Sequence, residues 1–406
     1  MTSGMGLTIR TLREADYQAF GDMIAAAFLA DPSPSDAALE RPLYDLDRVH
    51  GVFEGAELIG SAGAFVRTMA VPGAAPQPTA AVTSVGVKPG HRRRGVLTSL
   101  MRAQLHGLHD DGLEAVAALW ASEGAIYGRY GYGLGAQFTD LRLPRGAAFH
   151  PGVDVGADRV REAPREEALP LARALYDRVA ANRPGYLNRG AAEWEYHLAD
   201  DESHRDGLSA YRFVLHPRGY AVYRVKNEWD DRGPRHELNV RELTAEDDQA
   251  YAALYRYLLD VDLTAELRYF TGSDDPVFHL LRNPRLARRS NRDSPWVRLV
   301  DLDRALTGRG YLSDVDVVLD VTDDFCPWNA DRWRLTVKEG EAAVRRVTDE
   351  PDVTLDISAL GAAFLGGTRL TTLARAQFVR ERRPGAVRAL SHAFLGETAP
   401  HCPEVF

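Results

Sequence analysis

Apolar residues in the first third of the chain switch repeatedly between a period of two and a period near 3.6, the pattern of strands alternating with helices. Leu7 to Leu12 reads as a short strand. Asp16 to Phe28 reads as a helix with Phe20, Met23, Ile24, Ala27 and Phe28 on one face. Asp31-Pro-Ser-Pro-Ser breaks the pattern. Val49 to Arg67 predicts a hairpin that turns at Glu54-Gly55, and the Pro-rich piece Val71 to Pro78 a loop. A strand ending at Val87, an amphipathic helix Leu97 to Leu108 and an apolar strand Ala115 to Trp120 follow. Ser122 to Tyr130 predicts a short helix or turn, and Phe138 to Leu143 a strand that closes this first unit, residues 1–150.

The same alternation returns in residues 151–288. A helix Glu166 to Ala181, strands Ala210 to Leu215, Tyr220 to Lys226 and Glu237 to Leu243, a helix Glu246 to Leu259 and the apolar Pro276 to Leu281 make up a second unit. Arg282 to Asp293 is rich in arginine, lacks interleaved aromatics and reads as a solvated connector, not a nucleic-acid patch. In the third unit, residues 289–406, strands Trp296 to Val300, Val315 to Val321 and Trp333 to Val337 alternate well. Asp352 to Gly367 reads as a strand running into a helix. The whole is an α/β and α+β chain of three units, as its 406 residues allow at ~150 residues per domain.

Composition narrows the classes. With 45% hydrophobic and 26% charged residues the chain has the make-up of a soluble globular protein. No apolar run approaches the ~18 residues of a membrane helix, and the first ten residues lack the features of a signal peptide, so a cytoplasmic protein without membrane contact is expected. Cys326 and Cys402 are the only cysteines, and no His/Cys spacing suggests a metal site. A formal charge of −9 disfavours nucleic acid and favours cationic partners.

The stretch with the clearest chemistry is Val82 to Leu97, Val-Thr-Ser-Val-Gly-Val-Lys-Pro-Gly-His-Arg-Arg-Arg-Gly-Val-Leu. A strand enters a helix through a loop of glycines and arginines, which turns free backbone N–H groups, a helix dipole and positive charge toward one anion. Arg93, Arg94, Gly95, Val96, Leu97 and Thr98 are the candidates to anchor a pyrophosphate. Neither of the commoner phosphate-loop patterns is present.

This loop resembles the acetyl-CoA loop of the GNAT acetyltransferases, V-x-V-x-P-x-x-[RQ]-R-x-G, through Val85, Val87, Pro89, Arg92, Arg93 and Gly95; Leu97 stands where many such loops carry Gly or Ala. The second unit resembles a degenerate GNAT copy without a cofactor, and the third a sterol-carrier-protein-like domain. Ala121-Ser-Glu-Gly-Ala-Ile-Tyr-Gly-Arg-Tyr-Gly-Tyr-Gly and a chain ending on an aromatic, Phe406, complete a resemblance over the whole length to the enhanced intracellular survival (Eis) N-acetyltransferases.

That resemblance implies acetyl-CoA as co-substrate, no metal, and a homo-oligomer, a hexamer in this family. It implies that Val85, Gly86 and Val87 pair with the pantetheine arm and that the Val85 N–H faces the thioester carbonyl. Ser122 and Glu123 match cofactor-contacting positions, and Tyr127 the general acid for the departing thiolate. The resemblance makes the α-carboxylate of Phe406 the general base, with Glu404 a secondary candidate. On the acceptor side, Phe28 matches a family aromatic, Asp31 is a carboxylate available to a cationic amine, and Trp120 precedes the Ala-Ser-Glu-Gly run. The reaction so implied is acetyl transfer to primary amines of cationic small molecules such as aminoglycosides. A protein lysine acetyltransferase and a non-catalytic acetyl-CoA-binding protein are the alternatives, and intact Tyr127 and Phe406 argue against the second.

Overall fold

The computed structural model describes residues 6–406. The N-terminal residues used to judge a signal peptide lie in part outside that range. In the first unit the chain runs β1 (Leu7–Thr11), α1 (Tyr17–Phe28), α2 (Pro34–Glu40), β2 (Val49–Glu54), β3 (Glu57–Val71), β4 (Ala74–Val87), α3 (Val96–Asp111), β5 (Val116–Leu119), β6 (Gly133–Leu134) and β7 (Gln137–Pro144). β3 and β4 form one long hairpin closed by Pro72-Gly73, so the Pro-rich piece expected to be a loop is mostly strand. Pro76 and Pro78 are tolerated because β5 pairs with β4 only from Thr79 to Val82, leaving the prolines with a neighbour on one side.

The second unit contains β8 (Arg161–Ala163), α4 (Arg165–Ala180), α5 (Ala191–His197), β9 (Arg212–His216), β10 (Gly219–Lys226), the small ribbon β11 (Trp229–Asp230) and β12 (Gly233–Pro234), β13 (His236–Ala245), α6 (Asp248–Asp260), β14 (Thr264–Gly272), α7 (Val277–Leu280) and β15 (Arg288–Asp293). β13 and β14 are parallel and joined through α6, repeating the β4–α3–β5 crossover of the first unit. Here the turn reads Ala245-Glu246-Asp247-Asp248, and Asp247 caps α6 by accepting from the Ala250 N–H at 2.9 Å. A carboxylate already occupies the helix end where the first unit presents arginines, and it repels phosphate.

Two strands depart from the expected order. Gln137–Pro144, expected to close the first sheet, lies between β15 and β14 in the second. Trp296–Leu299 (β16), read as the start of the third unit, fills the first sheet between β5 and β6. The first two units are therefore interlocked. The run Arg282 to Asp293 is only half a connector, since Arg288–Asp293 is an exposed edge strand.

The third unit adds α8 (Leu302–Thr307), β17 (Val315–Thr322), β18 (Asp331–Lys338), β19 (Glu341–Arg346), β20 (Val353–Asp356), α9 (Ile357–Ala363), α10 (Leu370–Arg375), β21 (Val379–Glu381) and α11 (Ala386–Phe394), with a five-stranded sheet ordered β19-β18-β17-β20-β21. Its core is continuous with the first unit: Val297 and Leu299 of β16 and Met69 of β3 share one buried cluster with Leu319, Leu335, Leu360 and Phe394. Contact is closest at Gly133, where an added Cβ would lie 1.9 Å from the Ser358 carbonyl oxygen and 2.4 Å from the Ala362 nitrogen on α9. The last residues then run back along the molecule, the His401 N–H donating to the Pro184 carbonyl at 2.9 Å.

Candidate active site

The site begins where β4 leaves its neighbour. After Val82, β4 and β5 no longer pair, and β4 carries a bulge against β3 at Ser84, whose φ is 50°. Ser84 is held there by the Ser61 hydroxyl, which donates to its carbonyl at 2.7 Å, and by Tyr44, whose hydroxyl lies 2.5 Å from the Ser84 hydroxyl. The strands splay and leave the β4 edge beyond Val82 with no partner from β5. An extended ligand can add to such an edge as a strand does.

A cleft of about 680 Å³ follows that edge and is lined by Val85, Gly86 and Val87, by Arg93, Gly95, Val96, Leu97 and Thr98 at the start of α3, and by Ser122, Glu123 and Tyr127. Gly95 is the N-cap of α3 at φ 82°, a left-handed conformation that glycine adopts without a Cβ clash, and no side chain caps the helix. The free N–H groups of the first turn therefore face the cleft. Arg93 has φ 62° and also lines it. Arg92 braces the loop by donating to the Ala27 carbonyl at 2.9 Å.

Arg94 departs from the expectation. It pairs with Glu54 at 2.6 Å and does not line the cleft. Arg129, which the sequence did not single out, lines it instead, from the short helical turn Tyr127–Tyr130. Arg92, Arg93 and Arg129 line the cleft with a single carboxylate, Glu123, so it is net positive.

A second cavity of about 580 Å³ lies beyond the splay and shares Phe28, Val85, Ser122 and Tyr127 with the first. Phe28, Tyr44, Phe65, Trp120 and Tyr196 form its aromatic walls, and Val405 and Phe406 enter it from the far end of the chain. Tyr127 stands at the junction. Its ring is buried against Tyr132 at 5.9 Å, and burial pushes its hydroxyl up to about 12, with Tyr130 and Glu123 adding to the rise. Tyr132 is buried deeper, among the glycines that meet α9, and takes no part in lining either cavity.

Asp31 is exposed and lies outside this second cavity, in a neighbouring groove between α1 and α2. The carboxylate that does line it is Glu40, at the end of α2. Burial, with Asp36 nearby, raises its pKa, and the Tyr196 hydroxyl partly offsets this by donating at 3.5 Å. Only its place in the fold marks Glu40, for no local pattern singles it out among the acidic residues of that helix. Glu404 is likewise absent from the cavity wall, being buried and engaged by Arg67 and Arg189. Among the described residues no group of His, Cys, Asp and Glu is arranged to hold a metal, and no helix is long and apolar enough to cross a membrane.

Comparison with known proteins agrees with this architecture. Acetyltransferase (GNAT) domain families match residues 8–135 and 185–299, and a sterol carrier protein domain matches residues 302–403. An uncharacterised N-acetyltransferase of Streptomyces avermitilis is 41% identical over 99% of this chain and 100% of its own length. The N-acetyltransferase Eis of Mycobacterium tuberculosis is 34% identical over 97% of this chain and 98% of its own. The crystal structure of Eis1 from Mycobacterium abscessus superposes with a TM-score of 0.86 at 35% identity, covering 98% of this chain and 100% of that one. A GNAT N-acetyltransferase structure from Anabaena variabilis, at 18% identity and a TM-score of 0.85, shares the fold. The splayed strand beside an Arg-lined helix start fits the acetyl-CoA that a GNAT fold implies, and the chain belongs to the Eis family of GNAT N-acetyltransferases.

Proposed function

We propose that the protein transfers the acetyl group of acetyl-CoA to primary amines of cationic small molecules such as aminoglycosides, with Tyr127 as general acid and the Phe406 α-carboxylate as general base. The observation that carries this reading is the meeting of two cavities at Tyr127: an electropositive cleft on one side, and on the other an aromatic cavity holding Glu40 and the end of the chain. When bound, acetyl-CoA supplies the thioester to be broken. The start of α3, with Arg93 and Arg129, suits its pyrophosphate, and the unpaired edge from Val85 to Val87 suits its pantetheine arm.

An ammonium substrate with a pKa near ~10 must lose a proton before it attacks. Glu40 and the aromatic walls suit a cation, by charge and by cation–π attraction. Phe406 lines the same cavity, and in this reading its α-carboxylate accepts the proton, directly or through one water. A phenol raised to about 12 is fully protonated at neutral pH, so the acid is always in its working form. Transfer to a thiolate of intrinsic pKa ~8.5 runs uphill, so the hydrogen bond that Tyr127 donates as charge develops on sulfur carries the stabilisation.

Thiol release from acetyl-CoA, measured against aminoglycosides, simple polyamines and lysine peptides, tests the reading. Turnover is expected with the polycationic small molecules. Turnover with lysine peptides alone would replace the acceptor class.

A further inference from the structure

Glu404 is held in a way that the chemistry of transfer does not itself require. Its carboxylate is buried, and each oxygen faces a guanidinium from a different unit of the fold. Arg67 on β3 reaches Oε1 with Nη2 at 3.0 Å, and Arg189 of the second unit reaches Oε2 with Nε at 3.6 Å. Both arginines are oriented by neighbours. The Arg67 Nε donates to the Asn188 carbonyl at 2.9 Å, while the Thr68 N–H donates to the Asn188 side-chain oxygen at 2.7 Å. Arg189 lies over the Tyr176 ring at 3.9 Å and pairs with Glu242 at 2.8 Å.

The arginine side chains are 2% and 0% exposed and that of Glu404 is 7% exposed. Two cations thus meet two carboxylates in a dry, balanced cluster, the condition under which buried charge is tolerated. Beyond it Val405 is 64% exposed and anchors nothing. Phe406 is two residues on, a reach of ~7 Å of extended chain, and its half-buried ring packs against the third unit's core, so the terminal carboxylate is held between that packing and the grip on Glu404.

We propose that Arg67 and Arg189 are positioning residues for the transfer reaction: they latch Glu404 so that the Phe406 carboxylate is presented to the acceptor. This rests on the terminal-carboxylate reading above. It also gives the second unit a part in the reaction, because Arg189, Asn188 and Tyr176 all come from it.

Glu404→Gln keeps the side-chain shape and withdraws the charge. A carboxypeptidase that prefers aromatic ends should release Phe406 from this variant roughly 10-fold faster than from the wild type. Its kcat should fall roughly 10- to 100-fold, as displacement of a reacting group by about 1 Å can cost that much. KM and calorimetric affinity for acetyl-CoA should stay within about twofold, since the cofactor cleft is untouched. Arg67→Lys keeps the charge but loses the planar fork; it should move both readouts the same way, and it carries the test if the glutamine variant does not fold. Wild-type release of Phe406 together with wild-type kcat in a folded variant overturns the latch. Deletion of Phe406 separates the two ideas. If the deletion abolishes turnover and Glu404→Gln alters neither readout, the latch fails and the terminal base stands. If the deletion leaves turnover intact, the terminal base fails and the catalytic purpose of the latch falls with it, even where release of Phe406 is accelerated.

Discussion

Gly133→Ala isolates what the glycine-rich run after Tyr127 is for. The new Cβ would sit 1.9 Å from the Ser358 carbonyl oxygen and 2.4 Å from the Ala362 nitrogen, both backbone atoms of α9 with no rotamer to yield. The third unit must retreat by about 1.5 Å before that contact becomes an ordinary van der Waals one. Overpacking a dense interior costs ~1–3 kcal/mol, and a gap of 0.5–1 Å forfeits a further quarter to half of the dispersion energy along the seam. We therefore expect a loss of about 3 kcal/mol or more, seen, at ~2.1 cal/mol/K of unfolding entropy per residue over 406 residues, as a fall in Tm of roughly 3–4 °C. Gly128→Ala is the matched control, because nothing lies within 4 Å of its Cβ. Differential scanning calorimetry of the two variants beside the wild type gives the answer. Equal Tm values for both would refute the reasoning that the Tyr-Gly-Tyr-Gly run is a docking surface for the third unit.

Other outcomes follow from the same geometry. Arg93→Ala should weaken acetyl-CoA binding by ~1.5–3 kcal/mol, the range for hydrogen bonds to charged groups, while Arg94→Ala, which removes only a surface pair with Glu54, should leave calorimetric affinity unchanged. Tyr127→Phe should retain cofactor binding and lose ~10²–10⁴-fold in turnover, and wild-type rates would remove Tyr127 from the mechanism. Burial lowers His401 to about 3 and His197 to about 4, so both stay neutral in the fold while the unfolded chain takes up their protons near pH 6.5. The stability this neutrality maintains is full above pH 6.5 and is lost as pH falls toward the folded values, at up to ~1.4 kcal/mol per pH unit for each residue. Tm should drop between pH 7 and pH 5, with a shallower slope in His401→Phe; identical slopes would show that the His401 ring does not take part.

Local chemistry in this chain was legible and long-range pairing was not. The loop from Val85 to Gly95 declares itself because strand, turn, arginines and helix start are consecutive, and those residues form one wall of its cleft. The second and third units were readable from periodicity and from resemblance to whole domains. The exchange of Gln137–Pro144 for Trp296–Leu299 between sheets was not readable, for both segments are ordinary strands and partner choice is settled by packing. Thr264–Gly272 escaped as a strand, although it is the parallel partner of β13. Among candidate site residues, Asp31 offers a carboxylate for a cationic amine, yet the chain turns at Ser33 and one helix later brings Glu40 to the cavity instead. Arg94 and Glu404 have suitable chemistry, but ion pairs with Glu54, Arg67 and Arg189 commit them elsewhere. Charge type is written in the sequence; which charges are already paired is not.

The claim on which the mechanism depends is that the end of the third unit completes a site in the first. Initial rates with one accepted amine should be compared for the wild type, a form extended beyond Phe406 by a short tag, and a form lacking Phe406. The tag turns the carboxylate into a neutral amide, and the deletion draws the terminus back by ~3.5 Å of extended chain, beyond hydrogen-bond reach. Both altered forms should bind acetyl-CoA normally and lose nearly all turnover. Full activity in the tagged form would contradict the account and leave Glu40 as the carboxylate nearest at hand in that cavity.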